Sequence, residues 1–183
     1  MGTPKHEQLD DYGYELWEEN TFPLAYLLTF RTYGTWLHGD ERTSVRRDGW
    51  NRYGHERYRS DATLEQWQRN EMRRDPVVLT GPMRKVVDQA IRELCERREY
   101  LLRALHIRTN HGHVVVSAMM KPERIVDSMK AAATKELRLK GLIRPDVKVW
   151  SRGRSRRYLW KPRHVEAAIQ YTLYGQGEFL LPD

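Results

Sequence analysis

YLLRALHIRTNHGHVVVSA, from Tyr100 to Ala118, is the stretch on which the fold turns. Two apolar segments, 100–108 and 111–118, flank Thr109 and Asn110, a pair suited to a tight turn. Each segment is too short for a helix of ordinary length and rich in Leu, Ile and Val, so the stretch predicts a β-hairpin. On its N-terminal side, Pro82 to Arg98 places Val87, Ile91, Leu94 and Cys95 on one helical stripe. On its C-terminal side, Pro122 to Lys140 repeats Ile125, Met129, Ala133 and Leu137 at spacings of four. Pro122 suits the first turn of that helix and Gly141 its end.

Working outward, LAYLLTFRTY (Leu24 to Tyr33) reads as a strand with Tyr26, Leu28 and Phe30 on one face and Leu27 and Thr29 on the other. Both faces are largely apolar, which predicts a central strand. Val149 to Trp160 supplies another strand or ribbon, and Pro162 to Tyr174 a last helix, stopped by Gly175. The order is strand, helix, strand, strand, helix, strand, helix. Its first six elements spell an α+β, ferredoxin-like (split βαβ) antiparallel sheet with helices on one face. That architecture serves many unrelated functions and names none of them.

Two segments stand apart from this frame. Residues 1–22 form an acidic arm, with Glu7, Asp10, Asp11, Glu15, Glu18 and Glu19 against Lys5. Residues 34–80 interrupt the first strand and first core helix with Arg, Trp, Tyr and Gly in poor periodicity, apart from a short helix expected over 61–74. The catalytic or binding domain is thus expected over 23–178, with 179–183 as a tail.

The 183 residues carry a net charge of +7, and the isoelectric point is about 9.6, which points to a polyanionic partner. From Lys148 to His164 there is no carboxylate. The cations Lys148, Arg152, Arg154, Arg156, Arg157, Lys161 and Arg163 alternate there with Trp150, Tyr158 and Trp160. Such a ribbon can neutralise phosphates and stack unpaired bases at roughly 1–3 kcal/mol each; the plainer reading is a solvated basic surface. The insertion adds Arg46, Arg47, Trp50 and Arg52 to the candidate nucleic-acid contacts. Lys130 and Lys135 on the second core helix could also reach phosphates or simply be solvated. Cys95 is the only cysteine, which excludes a disulfide framework and a thiolate zinc cluster. No apolar run approaches a membrane span and the first residues hold no apolar signal stretch, so the expected location is cytoplasmic.

His111 and His113 sit two apart at the start of a predicted strand, so both imidazoles should leave the same face. Two convergent imidazoles begin a divalent-metal site, although a metal usually needs a third protein ligand. The same pair could also be ordinary polar strand residues beside a turn. In the last helix Val165, Ala168, Ile169 and Thr172 form the apolar stripe, and Tyr171 falls beside it, where it could be a half-buried packing residue. Gln176 follows Gly175 and offers an amide oxygen.

Four pieces of the chain together resemble the REP-associated tyrosine transposases, a group of the single-tyrosine HUH transposases. They are LTFRTYGTWLHGD (Leu28 to Asp40), IRTNHGHVVVSA (Ile107 to Ala118), RGRSRRYLWK (Arg152 to Lys161) and AAIQYTLYGQG (Ala167 to Gly177). The resemblance implies an HUH endonuclease fold in which His111 and His113 hold a divalent metal, Mg or Mn, and Tyr171 is the nucleophile. It implies a third polar ligand from the tyrosine helix, for which Gln176 is the candidate. It also implies that single-stranded DNA carrying a hairpin is cut and rejoined through a 5′-phosphotyrosine, by a monomer or a homodimer. His38 and Asp40, inside the first matched piece, are assigned to the edge of the active site or to its DNA contact, with stabilisation of a turn around Gly39 as the alternative.

Two positions depart from the family pattern. The residue between the two histidines is normally bulky and hydrophobic but is Gly112 here, which predicts thinner packing behind the strand. In the wider group the third ligand lies four residues after the tyrosine, where this chain has Gly175. The rival expectation is therefore a non-catalytic module that binds structured DNA or RNA and retains a decayed metal site. A metal-dependent hydrolase that cuts without a covalent intermediate is a third reading.

Overall fold

The computed structural model describes residues 8–9, 15–16, 22–35, 61–72 and 74–175. The chain divides into two compact units, one of residues 1–21 and 36–75 and the other of 22–35 and 76–183. In the first unit, β1 (Gln8–Leu9) and β2 (Glu15–Leu16) pair antiparallel, a small hairpin that the sequence pattern does not announce. Its helix α1 (Ala62–Asn70) starts where Asp61 accepts hydrogen bonds from the Thr63 and Leu64 amides, at 3.0 and 3.1 Å.

The second unit contains β3 (Ala25–Thr32), α2 (Gly81–Arg97), β4 (Leu101–Ile107), β5 (His111–Ser117), α3 (Pro122–Leu139), β6 (Trp150–Leu159) and α4 (Pro162–Tyr174). These are the expected elements, with boundaries shifted by a residue or two. The four strands form one antiparallel sheet in the order β4-β5-β3-β6, so β3 is central as its two apolar faces require. This α+β arrangement is the ferredoxin-like order, with β5 inserted between the two strands that α2 connects.

The sheet has two different faces. On one, Tyr26, Leu28, Phe30, Val114, Val116 and Leu105 pack with the apolar stripes of α2 and α3 in the main core. On the other, Ala25, Ala104, Val115 and Leu159 meet Val165 and Ala168 of α4 in a smaller cluster. The two core helices thus share a face as predicted, and the last helix covers the opposite one. Among the described residues no helix is long and apolar enough to cross a membrane.

Helix ends are set locally. Thr80 accepts the Met83 amide at the start of α2, and Gly141, with φ of 66°, ends α3 while the Leu142 amide returns to the Leu137 carbonyl at 2.9 Å. Gly175 ends α4 differently. Its φ is −78°, within reach of any residue, but an added Cβ would lie 2.8 Å from the Tyr171 carbonyl oxygen and 2.9 Å from Tyr171 Cδ2. The glycine leaves room for the tyrosine ring.

Candidate active site

Strand pairing places His111, His113 and Val115 on the face covered by α4, with Gly112, Val114 and Val116 turned to the main core. The two imidazole rings stand edge to face with centroids 4.8 Å apart. His113 is nearly buried, whereas His111 is partly exposed at the strand end. Neighbouring side chains fix both rings. His111 Nδ1 is 2.6 Å from Asn110 Oδ1, and since that oxygen only accepts, Nδ1 carries the proton and the ring lone pair lies on Nε2. His113 Nδ1 is 2.8 Å from the hydroxyl of Thr29, its register partner on β3. Outer partners of this kind orient metal-binding histidines.

Tyr171 comes to the same place from the far end of the chain. Its ring meets His113 edge to face, with centroids 5.5 Å apart and planes at 76°. The residue is 46% exposed, so it touches the histidine on one side and solvent on the other. Val165, Ala168 and Thr172 are the buried residues of α4 and Ile169, the fourth member of the expected stripe, is partly buried, with Tyr171 beside them. His111, His113 and Tyr171 are therefore brought together within one chain.

Gly112 does not thin the packing, contrary to expectation. It stands between Phe30 on β3 and Ile107 on β4, and a Cβ there would lie 2.8 Å from Phe30 Cζ and 2.9 Å from Ile107 Cδ1. Phe30, itself held edge-on against Trp150 at 5.2 Å, fills the room that a bulky middle residue would take.

Sequence reasoning missed four neighbours of the site. Thr29 and Asn110 are the ring partners just described. Arg31 stands directly opposite His111 across the β3–β5 pair. His106 lies opposite His113 on β4, only 3% exposed, with Nδ1 3.0 Å from the Thr172 carbonyl of α4. Burial lowers its pKa below the ordinary value; the Thr172 contact opposes that shift, Arg108 and Arg84 reinforce it, and Asp88 weakly opposes it. The signal for His106 was a third histidine in strand phase, but its partner becomes visible only once α4 is docked.

The basic ribbon is divided between faces. Arg154 and Arg156 pair with Phe30 and Leu28, which places them on the main-core side, where they form ion pairs with Asp127 and Glu123 of α3. Arg157 pairs with Leu27 on the histidine side and is exposed, as is Arg152. The expected stacking platform is mostly packed away. Trp150 and Trp160 are 7% and 8% exposed, and Tyr158 stacks on Trp160 and meets Tyr26 edge-on. Lys161, half-buried, occupies the N-cap position of α4. Lys130 is not a solvated helix lysine either: it is 9% exposed and donates to the Ser151 and Gly153 carbonyls, at 3.0 and 3.1 Å, bracing the irregular start of β6.

Two imidazoles oriented by outer partners, with the His111 lone pair on Nε2, suit a divalent cation, and they would be its protein ligands here. Among the described residues no group of three His, Cys, Asp or Glu is arranged to hold a metal. Gln176, the candidate third ligand, lies outside the described residues, as do His38, Asp40, Arg46, Arg47, Trp50 and Arg52.

Among curated proteins none matches the chain. Solved structures similar to it include a candidate transposase of Deinococcus radiodurans R1, at 14% identity over 88% of this chain and 97% of that one, with a TM-score of 0.46. Another is a REP-associated tyrosine transposase bound to a REP hairpin, at 10% identity over 88% of this chain and 71% of that one, with a TM-score of 0.45. The family model for IS200-like transposases matches residues 70–165, more than half of the chain, and that segment contains His106, His111 and His113 and stops short of Tyr171. On that match, the chain belongs to the IS200-like transposase family.

Proposed function

We propose that this transposase cuts and rejoins single-stranded, hairpin-bearing DNA through a covalent bond to Tyr171, with a divalent metal, Mn or Mg, held by His111 and His113. The observation that carries this reading is the edge-to-face contact of Tyr171 with His113, at 5.5 Å between centroids, beside a second imidazole and in partial contact with solvent. A bound cation would neutralise charge on the scissile phosphate and polarise it toward attack.

The chain's own residues carry the remaining roles. Tyr171 Oη attacks the phosphorus and the 3′-oxygen leaves, giving a 5′-phosphotyrosine and a free 3′-hydroxyl. Attack by a 3′-hydroxyl on that phosphotyrosine restores a phosphodiester and releases the phenol. Bond energy is conserved in the ester, so no nucleotide is consumed, in keeping with a sequence that has no Walker-type loop. Arg31 beside His111 supplies positive charge for the phosphate, and Arg152 and Arg157 guide the strand across the exposed part of β6. Gln176 is the proposed third ligand.

Incubating a hairpin oligonucleotide with the protein and Mn²⁺, followed by a denaturing gel, tests this directly. A covalent protein–DNA adduct is expected, and Tyr171→Phe should abolish it. An adduct that persists in that variant would move the nucleophile elsewhere, and released 5′-phosphate ends without an adduct would favour a hydrolase. Tight DNA binding with no metal uptake dependent on His111 and His113 would favour the binding module.

A further inference from the structure

We infer that His106 is a positioning residue: its imidazole caps the end of the tyrosine-bearing helix and thereby fixes where Tyr171 stands over the histidine pair. The inference rests on the proposed role of Tyr171 and concerns a residue outside the proposed metal pair and nucleophile.

The argument begins with the helix end. The last four carbonyls of an α-helix have no donor within the helix. Thr172 is in the last turn of α4 and its side chain is fully buried, so its carbonyl must find a donor other than bulk water. His106 Nδ1 lies 3.0 Å from that oxygen. A carbonyl can only accept, so the imidazole is in the Nδ1–H tautomer and donates. The bond crosses from a strand to the residue that follows Tyr171.

Register makes the position significant. His106 is directly opposite His113 in the β4–β5 pair, and His113 is the ring that Tyr171 touches. One strand position therefore holds the helix by its backbone, and the adjacent one meets the tyrosine by its ring. The buried centre of the α4 seat is mostly small, Ala25, Ala104, Val115, Val165 and Ala168 beside Leu159, with Leu27, Ile169 and Leu173 only partly buried around it, and small side chains resist sliding less than interlocked large ones do. A directional hydrogen bond supplies the register that such a smooth seat lacks. In-line attack requires close alignment, and displacement of the attacking group by about 1 Å can cost on the order of 100-fold in rate.

The test uses three substitutions in the full chain. Asn places an N–H near the position of His Nδ1, and Gln places one near Nε2. With the hairpin oligonucleotide and Mn²⁺, His106→Ala and His106→Gln should slow adduct formation by at least about tenfold. His106→Asn should recover most of the rate, and DNA affinity and Mn²⁺ affinity should be unchanged in all three. A second readout does not depend on cutting: 3-fluorotyrosine incorporated at position 171 should give a ¹⁹F resonance shifted by the His113 ring. It should keep its shift in His106→Asn and move toward the exposed-tyrosine value in His106→Ala and His106→Gln. A wild-type rate and an unmoved resonance in His106→Ala would overturn the inference, as would equal loss in the Asn and Gln variants. Loss of Mn²⁺ affinity in His106→Asn would overturn it in favour of a metal ligand. If the wild-type protein forms no adduct, the proposed chemistry fails, and the ¹⁹F shifts still decide whether His106 positions Tyr171.

Discussion

The hydroxyl of Thr29 lies 2.8 Å from Nδ1 of His113, linking the central strand of the sheet to the ring that Tyr171 touches. Asn110, at the turn before β5, holds His111 Nδ1 at 2.6 Å. Loss of such partners typically lowers metal affinity by about 10–100-fold. Thr29→Val and Asn110→Ala should therefore each weaken Mn²⁺ binding in that range, measured by titration calorimetry. The melting temperature of the metal-free protein should change little for Asn110→Ala, because Asn110 is at the partly exposed turn.

Gly112 gives a prediction of opposite character, on stability and not on binding. A side chain at this position would meet Phe30 Cζ at 2.8 Å, and the Phe30 ring is fully buried against Trp150. Gly112→Val should cost about 1–3 kcal/mol by overpacking, read from urea unfolding. Adding Phe30→Leu should recover part of that loss. If the valine variant is as stable as the natural chain, the tight fit between Phe30 and Ile107 is not a constraint on the strand.

The division of the basic ribbon predicts unequal effects among its arginines. Arg152 and Arg157 are exposed, and Arg157 lies on the histidine face. Replacing either with Ala should weaken single-strand binding and reduce the slope of log K against log salt by about 0.7. Arg154→Ala and Arg156→Ala break pairs with Asp127 and Glu123 on the opposite face, so they should leave that slope nearly unchanged. Equal salt slopes for all four variants would refute this partition.

Cys95 offers a pH-dependent check on the main core. Burial pushes its thiol from 9.0 up to about 11. The folded state therefore keeps a proton that the unfolded state gives up, and stability falls as pH rises from about 9 toward 11. Burial moves the Tyr26 phenol in the same direction, to about 12. The urea midpoint should drop over this range, and Cys95→Ala should flatten the drop. At neutral pH the thiol should resist alkylation in the folded protein and react when it unfolds, as followed by mass spectrometry.

The elements of the second unit were legible because their signals are local. Period-two alternation in β3 and β5, Thr109–Asn110 at the turn and spacings of four in α3 each lie within a few residues. The convergence of His111 and His113 followed from strand phase alone. Tyr171 was suggested by its place beside an apolar stripe, together with the resemblance, although its contact with His113 needs α4 to be docked. What escaped depends on neighbours far away in sequence. Gly112 cannot be understood without Phe30 and Ile107 on the flanking strands. His106 reveals its role only through the Thr172 carbonyl. The arginines of β6 look alike as a string, and only pairing with β3, after an irregular start, tells which of them meet the carboxylates of α3.

The unequal clusters on the two sides of the sheet have a mechanical consequence. The larger one, built from Tyr26, Phe30, Ile91, Met129, Leu137 and their neighbours, is complete without α4. The helix that carries Tyr171 is seated on the smaller cluster, Ala25, Ala104, Val115, Leu159, Val165 and Ala168 with Leu27, Ile169 and Leu173 around it, so lifting it off would open that cluster and leave the main core whole. The tyrosine is thus borne on a separately seated helix, whereas the two histidines are built into the sheet itself.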